Sequence, residues 1–238
     1  MHTIFALATA RGKSGVAVIR ISGLQAHEVA RRLSGDLPEP GRFALRRLKD
    51  SAGAILDDAL VLRFDAPRSF TGEDTIEFQL HGSVAVIRAV ERSIAETGLA
   101  RMAEPGEFTR RALMNGNLDL AQVEGLSDLI AAETELQRQQ AQGLFTGAMR
   151  AFADMCRADL LRAAALIEAT IDFADEEVPV DVSPEVGGLI AGVLEAIDTQ
   201  LNAFSGAERI RHGFEVAIIG EPNVGKSTLL NRIAGREI

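Results

Sequence analysis

"TIEFQLHG" occupies residues 75–82. Ile76, Phe78 and Leu80 fall on one side and Thr75, Glu77 and Gln79 on the other, the period of two expected of a strand with one face on a core. Its surroundings keep that character. "TIFALAT" (3–9) and "GVAVIRIS" (15–22) are β-branched and apolar, with a Gly-rich turn between them. "RFALRRLKD" (42–50) and "AILDDALVLRF" (54–64) flank Ser51-Ala52-Gly53 and read as a hairpin, and a short strand is expected near 99–104. "LQAHEVARRLSG" (24–35) predicts a helix stopped at Gly35, a second helix spans about 83–97, and Pro105-Gly106 opens a third that Asn115-Gly116 closes. Strands mixed with hairpins and helices over 1–117 predict an α+β domain, not a doubly wound sheet.

The pattern changes after residue 118. Leu120, Val123, Leu126, Leu129 and Ile130 recur at helical spacing, and Asp119 with Gln122 resembles a capping box. Leu160, Ala164, Ile167 and Ile171 follow the same period. "DFADEEVPVD" (172–181) is an acidic break, and Ser183-Pro184-Glu185 is a sound helix start. Val186, Ile190, Val193, Ile197, Leu201 and Phe204 then form one apolar stripe. At least three long amphipathic helices predict a bundle over 118–210, incomplete as it stands. A further helix, from elsewhere in a longer chain or from a partner, would close it.

Composition narrows the function classes. The 238 residues are 47% apolar and 25% charged, with a net charge of -9 and a pI near 5.0. That balance argues against a broad, charge-driven grip on nucleic acid. Arg31-Arg32, Arg46-Arg47 with Lys49, and Arg110-Arg111 are candidate local patches or plain solvated faces. The single cysteine, Cys156, rules out an internal disulfide framework and reads as a small buried or half-buried hydrophobe. His2, His27, His81 and His212 are scattered and offer no metal-ligand spacing. The start lacks the basic region of a signal peptide, and no run approaches ~20 apolar residues, so a cytoplasmic protein without a membrane span is expected.

"GEPNVGKST" (220–228) carries the most specific chemistry. Gly220, Gly225, Lys226 and Ser227 satisfy Gly-x-x-x-x-Gly-Lys-Ser, between an expected strand "FEVAIIG" (214–220) and an expected helix "KSTLLNRIAG" (226–235). Glycines let the backbone turn its N–H groups inward, where they and the helix N-terminus face a polyanion. Lys226 can reach β- and γ-phosphates, and the Ser227 hydroxyl can ligate Mg2+. Residues 211–238 therefore read as the first β-α unit of a P-loop α/β domain. One strand and one helix fall short of a βαβ unit of ~30 residues. The expectation is truncation, with no catalytic residue in this chain and its nucleotide chemistry crippled.

Several landmarks occur together and in order: "GVAVIRISG" (15–23), "SFTGEDTIEFQLHG" (69–82), "PGEFTRRALMNGNLDLAQVEGLSDLI" (105–130), "EATIDFADEE" (168–177) and "GEPNVGKSTLLNRIAGREI" (220–238). With them the chain resembles the MnmE (TrmE) family of tRNA modification GTPases along nearly its whole length. The resemblance implies a folate-binding and dimerising N-terminal domain, a helical domain, and a GTPase domain inserted into the helical one. It implies GTP-dependent modification of the wobble uridine of certain tRNAs, a carboxymethylaminomethyl-type group at C5, with a folate one-carbon donor. The implied partners are tRNA, a second copy in a homodimer, and the flavoprotein MnmG (GidA). The implied cofactors are GTP, Mg2+, K+ and 5-formyl-tetrahydrofolate. By position, folate contacts fall on Arg20, Glu77 and Asn117, where the family commonly has lysine at the last. GTP contacts fall on Asn223, Val224, Gly225, Lys226, Ser227 and Thr228, with Mg2+ on Ser227 and K+ on Asn223. From alternation alone, Glu77 lies on a solvated face, whereas Arg20 shares a strand face with Val16 and Val18, which is odd for a solvent residue. A folate-dependent one-carbon transfer enzyme and a dimerisation scaffold without nucleotide chemistry stand as alternatives.

Overall fold

A computed structural model describes residues 2–172, 181–212, 217–222 and 224–235. Within it the chain divides into two units, 1–124 and 125–238.

The first unit is built on one six-stranded sheet. Strands β1 (Thr3–Leu7), β2 (Val16–Ser22), β3 (Phe43–Lys49), β4 (Ile55–Phe64), β5 (Thr75–His81) and β6 (Ala100–Met102) lie in the order β3-β4-β5-β2-β1-β6. Only β1 and β6 pair in parallel; the other pairs are antiparallel, so the sheet is mixed and mostly antiparallel, with its helices outside a doubly wound plan. Register aligns the alternation of each strand with its neighbours. Ile19 faces Phe78, which faces Val61, and Ile21 faces Ile76. That face is buried under α1 (Ala26–Ser34) and α2 (Val84–Glu96), through Val29, Ala30 and Leu33 of one and Ile87, Val90 and Ile94 of the other. Each such fully buried side chain contributes about 1.5–3 kcal/mol of transfer free energy. The opposite face carries Val18, Arg20, Glu77, Gln79, Leu60 and Leu62, all half-buried or exposed.

Helix α3 (Glu107–Met114) is held by charge more than by apolar contact. Glu107 and Arg111, one turn apart, are each 4% exposed at the side chain. Arg111 donates to Glu107 (2.9 Å), to Glu73 (2.9 Å) and to the His2 carbonyl (2.7 Å). Glu107 also accepts from Arg101 (2.6 Å) and from the Glu104 N–H (2.9 Å). Both buried charges of α3 thus have partners, the condition for keeping a charge inside a protein.

The second unit holds the C-terminal part of α4 (Leu120–Ala131), then α5 (Glu135–Phe145), α6 (Ala148–Asp172), α7 (Ser183–His212) and α8 (Lys226–Ala234). Asp119 and Gln122 form the expected reciprocal cap at the start of α4. Helix α5 was not legible in apolar spacing, because only Ala141 of it is buried. Its signal is the capping box of Thr134 and Gln137. Cys156 and Ala163 of α6 and Val193 of α7 are buried, but Leu160, Ile171, Leu194 and Leu201 are exposed. The expected stripes therefore exist and are only partly covered. Residues 173–180 of the acidic break and 214–216 of the expected strand "FEVAIIG" lie outside the described residues. Its described part, 217–220, is not a strand, because no strand among the described residues lies beside it to complete a ladder.

Two outcomes follow from this packing. A Cβ added to Gly125 would stand 2.6 Å from the Phe145 backbone nitrogen and 2.8 Å from the Leu144 Cβ, whereas one added to Gly192 on α7 meets nothing within 4 Å. Alanine normally stabilises a helix over glycine by roughly 0.8–1 kcal/mol, which Gly192→Ala should gain. Gly125→Ala should instead lose about 1–2 kcal/mol through overpacking, so urea denaturation of the two variants moves in opposite directions. In the first unit, Arg101, the Glu104 N–H and Arg111 hold the Glu107 carboxyl at about 2, against an ordinary 4.5, with burial opposing them. A depressed carboxyl contributes stability that is complete above pH 4.5 and is lost as pH falls towards 2. Glu107→Gln should therefore be about 2–3 kcal/mol less stable at neutral pH, with the gap to the parent chain closing across that window in pH-resolved denaturation.

Candidate functional site

The open face of the sheet carries a cleft of about 440 Å³, lined by Arg20, Phe64, Arg68, Ser69, Phe70, Thr75 and Glu77. Strand register builds its floor. Arg20 on β2 is the direct partner of Glu77 on β5, although 57 residues separate them. The Arg20 Nε donates to Glu77 Oε1 at 2.7 Å, and the two side chains are 25% and 16% exposed. Glu77 is therefore paired and largely covered, not on the solvated face that alternation assigned it. The odd placement of Arg20 on an apolar strand face is explained by this partner. The Arg20 guanidinium also lies 5.1 Å from the Phe70 ring and 5.7 Å from the Phe108 ring of α3, within cation–π range.

The wall of the cleft is the β4–β5 connection, residues 65–74, and it is pinned at several points. Asn117 Nδ2 donates to the Ser69 carbonyl (2.9 Å), and Asn115 Nδ2 to the Thr71 carbonyl (2.7 Å). Asn117 thus does not line the cleft with Arg20 and Glu77; it holds the segment that does. Thr71 and Ser22 share a buried hydroxyl contact at 2.7 Å, and Ser22 donates to Glu73 at 2.8 Å. Glu73 in turn is bound by Arg111. At the base of the segment, the Ala66 N–H donates to Asp74.

His27, Asp65 and Asp74 bring three potential ligand atoms within 4.8 Å of one another at that base. Sequence spacing gave no hint of this gathering, because α1 and the two ends of the connection meet only in the tertiary fold. Asp65 is already held by Nε and Nη2 of Arg63 (2.8 and 2.9 Å) and Asp74 by the Ala66 N–H, with His27 Nε2 of α1 3.2 Å from Asp65 Oδ1. His81 stands apart on the open face, where the Asp57 carboxylate at 2.8 Å raises its pKa.

In the second unit, Gly225 caps α8 in the left-handed conformation at φ 95, which a side chain would strain. Lys226 bends back over the preceding loop, its Nζ donating to the carbonyl oxygens of Gly220 (2.9 Å) and Glu221 (2.6 Å). Val224, Ser227 and Thr228 are exposed at the same helix end, and Asn223 lies outside the described residues. No helix among the described residues is long and apolar enough to cross a membrane.

Residues 3–117 match the family model described as GTP-binding protein TrmE N-terminus. Residues 120–231 match the model of the MnmE helical domain. The tRNA modification GTPase MnmE of Ruegeria sp. (strain TM1040) is 64% identical over 237 residues, 99% of this chain and 55% of that protein. Those of Ruegeria pomeroyi and Dinoroseobacter shibae are 62% and 59% identical, each over 100% of this chain and 55% of the relative. The chain thus spans about 55% of the length of these relatives. It belongs to the MnmE family, of which it carries the N-terminal and helical domains.

Proposed function

We propose that the cleft on the open sheet face binds a reduced folate, 5-formyl-tetrahydrofolate, for the GTP-dependent modification of the wobble uridine of tRNA. The observation that carries this reading is the Arg20–Glu77 pair at the floor of a cleft walled by Phe64 and Phe70. Among the described residues, Glu77 Oε2 accepts no hydrogen bond, so the carboxylate has an edge left for the paired N–H donors of a pterin. The aromatic side chains offer flat apolar surface to the ring system. Asn117 acts in this reading by fixing the wall rather than by contact with the ligand.

Nucleotide binding falls to the second unit. Asn223, Val224, Gly225, Lys226, Ser227 and Thr228 surround the phosphates of GTP, with Ser227 on Mg2+ and Asn223 on K+. The exposed N–H groups at the start of α8 and the left-handed Gly225 suit a polyanion. Lys226 would exchange its two carbonyl contacts for phosphate oxygens. The complete nucleotide pocket draws on sequence that the relatives carry over the rest of their length. The partly covered stripes of α6 and α7 accept a further helix from the same polypeptide or a partner. The assembly acts in the cytoplasm as a homodimer with the flavoprotein MnmG (GidA) and tRNA.

Calorimetric titration with 5-formyl-tetrahydrofolate tests the first part. The chain should bind it, and Glu77→Gln and Arg20→Ala should each weaken binding by roughly 10–100-fold, the worth of one or two charge-assisted hydrogen bonds. A folded chain that releases no heat favours a scaffold. Folate binding with one-carbon transfer to an acceptor in the absence of nucleotide favours a one-carbon enzyme instead. The 238-residue chain by itself should hydrolyse GTP at the background rate; turnover abolished by Lys226→Ala would overturn that.

A further inference from the structure

The charges around the cleft do not balance. Arg20 is neutralised by Glu77 at the floor. Arg68, the other cation lining the cleft, is exposed at its rim, and among the described residues its guanidinium has no hydrogen-bond or ion-pair partner. The acids nearest to it in sequence are spoken for: Asp65 by Arg63, Glu73 by Arg111 and Ser22, and Asp74 by the Ala66 N–H. The segment that carries Arg68 is pinned on both sides, so the side chain is presented from a fixed backbone.

We propose that Arg68 is the specificity-determining residue for the anionic end of the cleft's ligand, binding the carboxylates of a folate's glutamate tail. This rests on the folate reading and adds a polarity to it. A pterin seated against Glu77 leaves its tail directed from the floor to the rim. The rim offers one uncompensated positive charge with the forked donors that suit a carboxylate. A neutral ligand of the same shape would leave that charge unused. Arg68 therefore discriminates a folate from the corresponding pteroate, and favours tails with added glutamates, whose further carboxylates stay within reach of the exposed guanidinium.

The test is a cycle of calorimetric titrations on the full 238-residue chain. The probes are 5-formyl-tetrahydrofolate and 5-formyl-tetrahydropteroate, which lacks the glutamate. The parent chain should bind the folate about 10–100-fold more tightly than the pteroate. Arg68→Gln should erase that ratio by weakening the folate alone, and Arg68→Lys should restore part of it. Because Arg68 is exposed, the melting temperature of Arg68→Gln should match the parent. A parent chain that binds both probes equally, or an Arg68→Gln variant weakened equally for both, overturns the assignment of Arg68 and leaves the folate cleft standing. A folded parent chain that binds neither probe overturns the folate cleft itself, and Arg68's role with it.

Discussion

A buried guanidinium governs the architecture of the first unit. Arg111 cannot remain charged in a dry site unless acceptors surround it, and Glu73, Glu107 and the His2 carbonyl do so from three separate parts of the chain. Meeting that demand fixes α3, the start of β1 and the β4–β5 connection relative to one another. An apolar contact would tolerate sliding; a set of directional hydrogen bonds to one planar group does not. The arrangement need not outweigh an apolar core in net free energy. Its effect is to select one geometry, since any other leaves a charge stranded.

The cleft inherits that geometry. Its floor stands on two central strands whose other face is locked beneath α1 and α2 by Ile19, Phe78 and their neighbours. Its wall is stapled by Asn115, Asn117, Ser22 and Glu73 and closed at its base by the Ala66 N–H on Asp74. The apolar core and the proposed binding cleft thus occupy opposite faces of one sheet. Ordering costs for the wall are met during folding, so a ligand need not supply them.

The second unit presents a contrast. Its helix α5 is well started, by Thr134 with Gln137, yet large apolar side chains on α6 and α7 stay in water. Caps set where a helix begins; only a neighbour buries its stripe. The Lys226 ammonium shows the same logic at smaller scale. A cation at the start of a helix takes whatever acceptors are closest, here two carbonyl oxygens of the preceding loop.

The sequence by itself determined what local physics controls. The alternation of 75–82 marked a strand and its buried side, and Asn115-Gly116 marked the end of a helix, because each signal is complete within a few residues. Alternation misjudged Glu77, since a period of two separates faces but cannot say what covers the second one. Helix α5 escaped apolar periodicity because it buries so little, although its cap was written at 134–137. Tertiary structure alone decided the rest: the strand order, the meeting of Arg20 with Glu77, the gathering of His27 with Asp65 and Asp74, and the encirclement of Arg111. Those contacts join residues that are distant in the chain, and only the register of a folded sheet makes them neighbours.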